Sequence, residues 1–255
     1  MTALIVIPAR YESSRFHGKL MKTDHNGKTV LQHVWDNAIC SSASKVVVAT
    51  DSEIIGSEVS KWGTCVMTGQ HSCGTDRAAE AWVKDQDKYD VIVNLQADEV
   101  EITSEYINAL IELSSTHGQD DSMITMATPL CRAGDYQDPN VVKVVCGEPD
   151  YVFNPRCLRA LYFSRSPIPN QKRLDTPIEA SYLHIGIYAF KPNALMRFIS
   201  RGQSALERIE RLEQLRALAF GMRIDVVMVD RPPNLSGRWP IAINSPQDLG
   251  DWLRR

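Results

Sequence analysis

The chain has 255 residues, 44% of them hydrophobic and 23% charged, and its 28 Lys and Arg against 31 Asp and Glu give a formal net charge of −3. That length allows a sizeable buried core, and the composition is that of a folded globular protein, not a disordered or collagenous one. A general nucleic-acid binder would carry a basic excess, so any anionic ligand must be met by local cations.

No apolar run reaches the roughly 18 residues of a membrane helix. Met1 to Arg10 lacks the cationic start of a signal peptide. The six cysteines are scattered, with neither C-x-x-C nor zinc spacing, which reads as reduced thiols in a cytoplasmic protein.

In chain order, Leu4–Ile7 is a short continuous apolar run, as a strand buried on both faces requires. Thr29 to Cys40 places Val30, Leu31, Val34, Trp35 and Ala38 at helical spacing, and Lys45–Thr50 is the next β-branched run. Asp51 to Lys61 predicts a helix with acidic residues in its first turn; Thr64–Met67 predicts a strand and Thr75–Gln86 a helix. Asp90–Leu95 is a third buried strand, followed by a polar loop and a helix over 103–115. Strands alternating with helices indicate βαβ units and a mainly parallel sheet.

The middle of the chain changes character. Ser122–Pro129, Val141–Cys146, Val152–Phe153 and Ala160–Phe163 read as strands between Asp, Gly and Pro turns, and residues 164–177 as a long polar loop. Leu183–Phe190 is strand-like, and Ser204–Glu207 is a capping box opening a helix that runs to about Phe220. Ile224–Val229 predicts a strand, and Ser245-Pro246 caps the last helix. One α/β domain over 1–255 with a β-rich part, approximately 130–190, fits this order.

Chemistry concentrates at strand ends. Arg10, Arg15 and Lys19 lie in the loop leaving the first strand, the edge where open α/β sheets bind ligands; amides of residues 13–18 can cradle phosphate oxygens. The loop is neither a phosphate-binding G-x-x-x-x-G-K-[ST] motif nor a dinucleotide G-x-G-x-x-G. Asp98, Glu99 and Glu101 follow another buried strand and suit Mg²⁺ as oxygen ligands, although a polar loop opening a helix has the same spacing. Ser72–Arg77 offers a Gly-Thr turn before a helix, which an ordinary cap explains equally well. His184 and Tyr188 share a strand face, and Glu207, Glu210, Glu213 and Gln214 lie on one helix.

Taken together, IPARYESSRFHGK (7–19), VVVATD (46–51), CGTDRAAE (73–80), VNLQADE (93–99), DPNVVKVV (138–145), LYFSRSPIP (161–169), LHIGIYAF (183–190) and ALERIERLEQLR (205–216) resemble the 3-deoxy-manno-octulosonate (Kdo) cytidylyltransferase family, in family order over nearly the whole chain. The resemblance implies a Rossmann-like, mainly parallel sheet of the nucleotide-diphospho-sugar transferase type with a smaller β-rich part for sugar binding and dimerisation, in a cytoplasmic homodimer. It implies attack by the anomeric hydroxyl of a sugar acid on the α-phosphate of CTP, with Mg²⁺ as cofactor. Carried over motif by motif, Pro8, Ala9, Arg10, Arg15 and Lys19 would meet the nucleotide, with Arg10 and Lys19 on the triphosphate. Thr75, Asp76, Arg77 and Gln96 would lie near cytosine and ribose. Gln96, His184, Tyr188, Glu213 and Gln214 would face the sugar acid, and Asp98 with Asn244 would serve the metal.

The sequence departs from the family at several of these positions. R-L-P-G-K-P becomes Arg15-Phe-His17-Gly-Lys-Leu20, Q-S-G-T-E-R becomes Ser72-Cys73-Gly-Thr-Asp-Arg77, Q-G-D-E-P becomes Gln96-Ala97-Asp-Glu-Val100, and the closing V-D-T-P becomes Ile243-Asn244-Ser-Pro246. These changes leave open a different acid acceptor, such as another ulosonic acid or a phosphonate, or a weakened homologue that only binds nucleotide.

Overall fold

The computed structural model describes residues 1–12, 16–85, 87–116, 121–147, 156–170, 180–232 and 237–255. In chain order these form β1 (Ala3–Ala9), α1 (Val30–Ile39), β2 (Lys45–Thr50), α2 (Glu53–Val59), β3 (Cys65–Met67), α3 (Gly74–Asp85), β4 (Val91–Leu95) and α4 (Ser104–Thr116). There follow β5 (Met123–Pro129), α5 (Ala133–Gln137), β6 (Lys143–Cys146), β7 (Cys157–Ser164), β8 (Ser181–Phe190), α6 (Pro192–Ile199), α7 (Ala205–Glu210), α8 (Gln214–Ala219), β9 (Ile224–Met228) and α9 (Pro246–Leu253). The chain divides into two compact units, residues 1–115 with 240–255, and residues 116–239.

In the first unit β1 lies between β2 and β4, with β3 outside β2, and all pairings are parallel. This 3-2-1-4 order makes the gap between the ends of β1 and β4 the natural ligand edge. Leu4, Ile5, Val6 and Ile7 are fully buried, each contributing roughly 1.5–3 kcal/mol of transfer free energy. The helix starts follow from side-chain caps: Thr29 accepts from Gln32 N at 3.1 Å, and Ser52 from Ile55 N at 3.4 Å. Ser245 and Asp248 form a full capping box at α9.

In the second unit the strand order is β8-β5-β9-β7-β6, and β6 pairs back with β8. The sheet therefore closes into a barrel-like ring without an open edge. Only β5–β9 is parallel; the other pairings are antiparallel, with a bulge in β5 between Thr125 and Met126. The mainly parallel character expected from the alternation thus holds in the first unit and not in the second. The β-rich region also extends beyond the expected 130–190. The strand read at Val152–Phe153 and much of the 164–177 loop lie outside the described residues.

One expectation fails for a physical reason. The helix read from Ser204 to Phe220 is two helices, broken at Arg211 in the left-handed region (φ 56°, ψ 46°). Glu207 and Arg216 are nine residues apart, which at 3.6 residues per turn is about two and a half turns and places them on opposite faces of a straight helix. The break lets them meet: Arg216 Nε and Nη2 donate to the two Glu207 carboxylate oxygens at 2.9 and 2.8 Å, with both residues almost fully buried. Two helices, α5 and α6, have no counterpart in the sequence reading.

Candidate active site

The ligand edge of the first unit starts where β1 ends. Pro8 and Ala9 complete the strand, and Arg10 follows directly, exposed and without an ion pair to any described residue. The chain then returns through Gly18, held at φ 62° with its N–H bonded to Tyr11 O at 3.4 Å. A positive φ favours glycine there and delivers Lys19 into the first position of a single 3₁₀ turn. Arg15 lies outside the described residues.

Lys19 Nζ contacts the Asp98 carboxylate and donates to Ile243 O at 2.8 Å. Ile243 N in turn donates to Asp98 O at 3.0 Å. The loop after β1, the turn after β4 and the segment before α9 therefore share one hydrogen-bonded knot, with the Lys19 and Asp98 side chains 14% and 21% exposed. Asn244 comes next in the chain, its N–H on Asp248 Oδ2 at 3.1 Å and its Nδ2 turned to Ala242 O.

The three carboxylates read together from the sequence do not act together. Glu101 accepts from Ile241 N at 2.7 Å and pairs with Arg255, tying down the segment before α9. Glu99 is buried, and among the described residues no three His, Cys, Asp or Glu side chains gather for a metal. What remains is the Asp98 carboxylate in the knot, with Asn244 next to Ile243 in the chain. Hard oxygen donors in such small number are what magnesium takes from a protein when substrate phosphates and water complete its shell, so these residues fit that ion.

A second group forms around the start of α3. A Cβ on Gly74 would stand 2.7 Å from Gln96 Nε2 and 3.2 Å from Pro8 Cγ, so a larger residue there would displace the Gln96 amide. Thr75 is buried and accepts from Asn94 Nδ2 at 2.9 Å, while Gln96 Nε2 lies 3.4 Å from Asn94 Oδ1. Pro8, Thr75 and Gln96 are thus brought together. Asn94, which the sequence reading passed over, is their hub; its signal is one amide within an apolar strand. Asp76 accepts from Ser72 Oγ at 3.0 Å, and Cys73 Sγ caps α3 by accepting from Asp76 N. Arg77 is turned inward: its guanidinium bonds Thr68 Oγ1 at 2.7 Å and pairs with Asp51 at 3.1 Å, with 5% exposure. It braces α3 against the ends of β2 and β3.

The remaining expected residues belong to the second unit. His184 stacks on Tyr188 with ring centroids 5.6 Å apart and takes the edge of Phe163. Thr125 Oγ1 donates to Ile187 O at 2.8 Å, so His184 Nε2, 3.0 Å from the same oxygen, is the donor of that pair. Burial pushes the imidazole pKa down to about 3, and the ring is neutral. Tyr188 Oη donates to Gln214 Oε1 at 3.1 Å, while the buried Gln214 Nε2 meets no partner among the described residues. A buried amide N–H left unsatisfied costs about 1–3 kcal/mol. Glu213 directly precedes α8 and is half-buried.

The scaffold beneath them is built from residues of three of the motifs that carry the resemblance. Lys143, fully buried, donates to Asp138 O, Val141 O and Arg165 O at 2.6–2.9 Å, and burial lowers its pKa to about 8. Glu210 accepts from Ser164 Oγ and Arg165 N, and Arg165 Nε donates to Glu210 O. These bonds fix the end of α7, just before the break that presents Glu213 and Gln214.

Residues 4–224 match the family model described as "Cytidylyltransferase". The 3-deoxy-manno-octulosonate cytidylyltransferase of Pseudoalteromonas atlantica is 38% identical over 96% of this chain and 94% of its own, and that of Chlorobium phaeobacteroides is 42% identical over 91% and 90%. A solved structure of CMP:2-keto-3-deoxy-manno-octonic acid synthetase complexed with CTP superposes with a TM-score of 0.81 at 32% identity, covering 100% of this chain and 98% of that one. Among the described residues, no helix is long and apolar enough to cross a membrane. The chain is an enzyme of the cytidylyltransferase family and belongs to its 3-deoxy-manno-octulosonate branch.

Proposed function

We propose that this enzyme transfers CMP from CTP to the anomeric hydroxyl of a 3-deoxy-octulosonic acid, Kdo or a close relative. The anomeric oxygen forms a bond to the α-phosphorus, the bond from that phosphorus to the β-phosphate bridging oxygen breaks, pyrophosphate leaves, and the hydroxyl proton passes to solvent. The observation that carries this reading is the Lys19–Asp98–Ile243 knot at the ends of β1 and β4. It sets a cation, an anion and an exposed Arg10 where a triphosphate with its counter-ion would bind.

In this reading Arg10 and Lys19 neutralise the triphosphate, and most of the rate comes from positioning and charge neutralisation. Asp98 and Asn244 would hold Mg²⁺, which when bound polarises the α-phosphate and lowers the pKa of the attacking hydroxyl. Thr75 and Gln96, set by Asn94 and Gly74, shape the nucleoside side. Neutral His184, Tyr188 and Gln214 offer hydrogen bonds to the acid's hydroxyls, with Glu213 alongside. The fold is taken as the Rossmann-like nucleotide-diphospho-sugar transferase type, and the six free thiols suit a reducing cytoplasm. Exposed Leu161, Leu206 and Ile209 of the second unit offer apolar surface for a homodimer, which sedimentation would show.

The departures favour an octulosonic acceptor over a distant one. Ala97 and Val100 are 4% and 5% exposed and Leu20 is 4%, so they alter packing and not the surface shown to a ligand. Pyrophosphate release with CTP and Mg²⁺ across Kdo, 8-amino-Kdo, neuraminic acid and simple phosphonates tests the proposal. Turnover with an octulosonic acid is expected; turnover with a phosphonate alone, or with nothing, would overturn it.

A further inference from the structure

The knot at the sheet edge carries a charge balance that the proposed reaction does not by itself require. Lys19 occupies Asp98 directly, and a second bond, to Ile243 O, holds the ammonium there. Asn244, next to Ile243 in the chain, is neutral. Lys19 cancels the charge of Asp98 and Asn244 adds none, while the Asp248 carboxylate is held by the amides of Asn244 and Ser245, so a divalent ion arriving alone must displace an ammonium from a part-buried carboxylate.

We infer that Lys19 is the resident counter-ion of Asp98 and that a divalent cation binds this position tightly only together with a nucleoside triphosphate. The triphosphate adds negative charge and accepts the Lys19 ammonium, which releases the Asp98 carboxylate to the cation. Lys19 then links the two binding events: the anion draws it off, and the cation takes the seat it leaves. This rests on the reading of Asp98 as a metal ligand. Asn244 sharpens the device, because a carboxylate there would leave a net negative site able to take up metal on its own.

The test follows free Mn²⁺ by electron paramagnetic resonance with the full chain, with and without a non-hydrolysable CTP analogue, against protein-free controls. Wild type is expected to take up Mn²⁺ weakly alone and at least about tenfold more tightly with the analogue, and Lys19→Met to gain about tenfold in affinity without nucleotide. Lys19→Arg keeps the charge and should stay near wild type, while Asn244→Asp should gain as Lys19→Met does, a second route should the latter fold poorly. Equal nucleotide-free affinity in wild type, Lys19→Met and Asn244→Asp would overturn the counter-ion role while Asp98→Asn still abolished uptake with the analogue. Unchanged uptake by Asp98→Asn would overturn the metal-site reading, and the counter-ion role with it.

Discussion

The edge of the parallel sheet and the barrel-like unit hold their polar groups in opposite ways. At the sheet edge Lys19 and Asp98 are charged, partly exposed and paired with each other, an arrangement that a charged ligand can exchange. In the barrel-like unit His184 and Gln214 are buried and neutral, and Gln214 keeps an unsatisfied donor. The first suits phosphates, whose recognition is mainly electrostatic; the second suits hydroxyls, which are told apart by hydrogen bonds whose loss is costly.

The sharpest way to break this comparison is at Asp98. Asp98→Ala should lower kcat by about 10²–10³-fold while weakening CTP binding far less, because charge stabilisation acts chiefly in the transition state. Single-turnover pyrophosphate release beside calorimetric CTP binding would show it, and equal losses in both would contradict it. Next in size is the buried pair of the second unit. Glu207→Ala strands Arg216 and should cost about 3–5 kcal/mol in urea unfolding, whereas Glu207→Leu with Arg216→Met should come near neutral.

His184 gives a pH test. Its folded pKa of about 3 lies below the unfolded imidazole value of 6.5, so between these the unfolded chain binds a proton that the native one refuses. Stability is therefore complete above pH 6.5 and lost as pH falls toward 3. His184→Asn should show a shallower loss of urea midpoint between pH 7 and 4.5 than wild type; parallel losses would contradict burial as neutral imidazole. The smallest effect is expected at the α3 cap, where Cys73→Ser replaces a weak thiol acceptor with a hydroxyl and should stabilise by about 0.5 kcal/mol in thermal unfolding.

Much of the sheet edge was legible because one-dimensional spacing carries it. An apolar run ending at Ala9 followed by Arg10 and Lys19, and another ending at Leu95 before Asp98, place charge at strand ends whatever the details of packing. The same spacing could not tell Asp98 from Glu101, since their roles depend on Ile243 and Ile241, more than 100 residues downstream. Arg77 was assigned to the nucleotide by resemblance; helix position says nothing of which way a guanidinium turns, and here it turns to Thr68 and Asp51. In the second unit, strand patterns at 122–129 and 183–190 were readable, but the break at Arg211 was not. It exists for the Glu207–Arg216 pair, a tertiary contact that overrides a continuous helical pattern. The roles of His184, Tyr188 and Gln214 came from resemblance, since neutral hydrogen-bonding groups leave no charge pattern.

The most direct measurement supplies Kdo labelled with ¹⁸O at its anomeric hydroxyl, with CTP and Mg²⁺, and follows the product by ³¹P NMR. The expected result is a CMP ester whose phosphorus carries the isotope shift of a bridging ¹⁸O, with one pyrophosphate released per ester formed. Pyrophosphate released with free CMP and no labelled ester, or no reaction with any octulosonic acid, would contradict transfer to the anomeric oxygen.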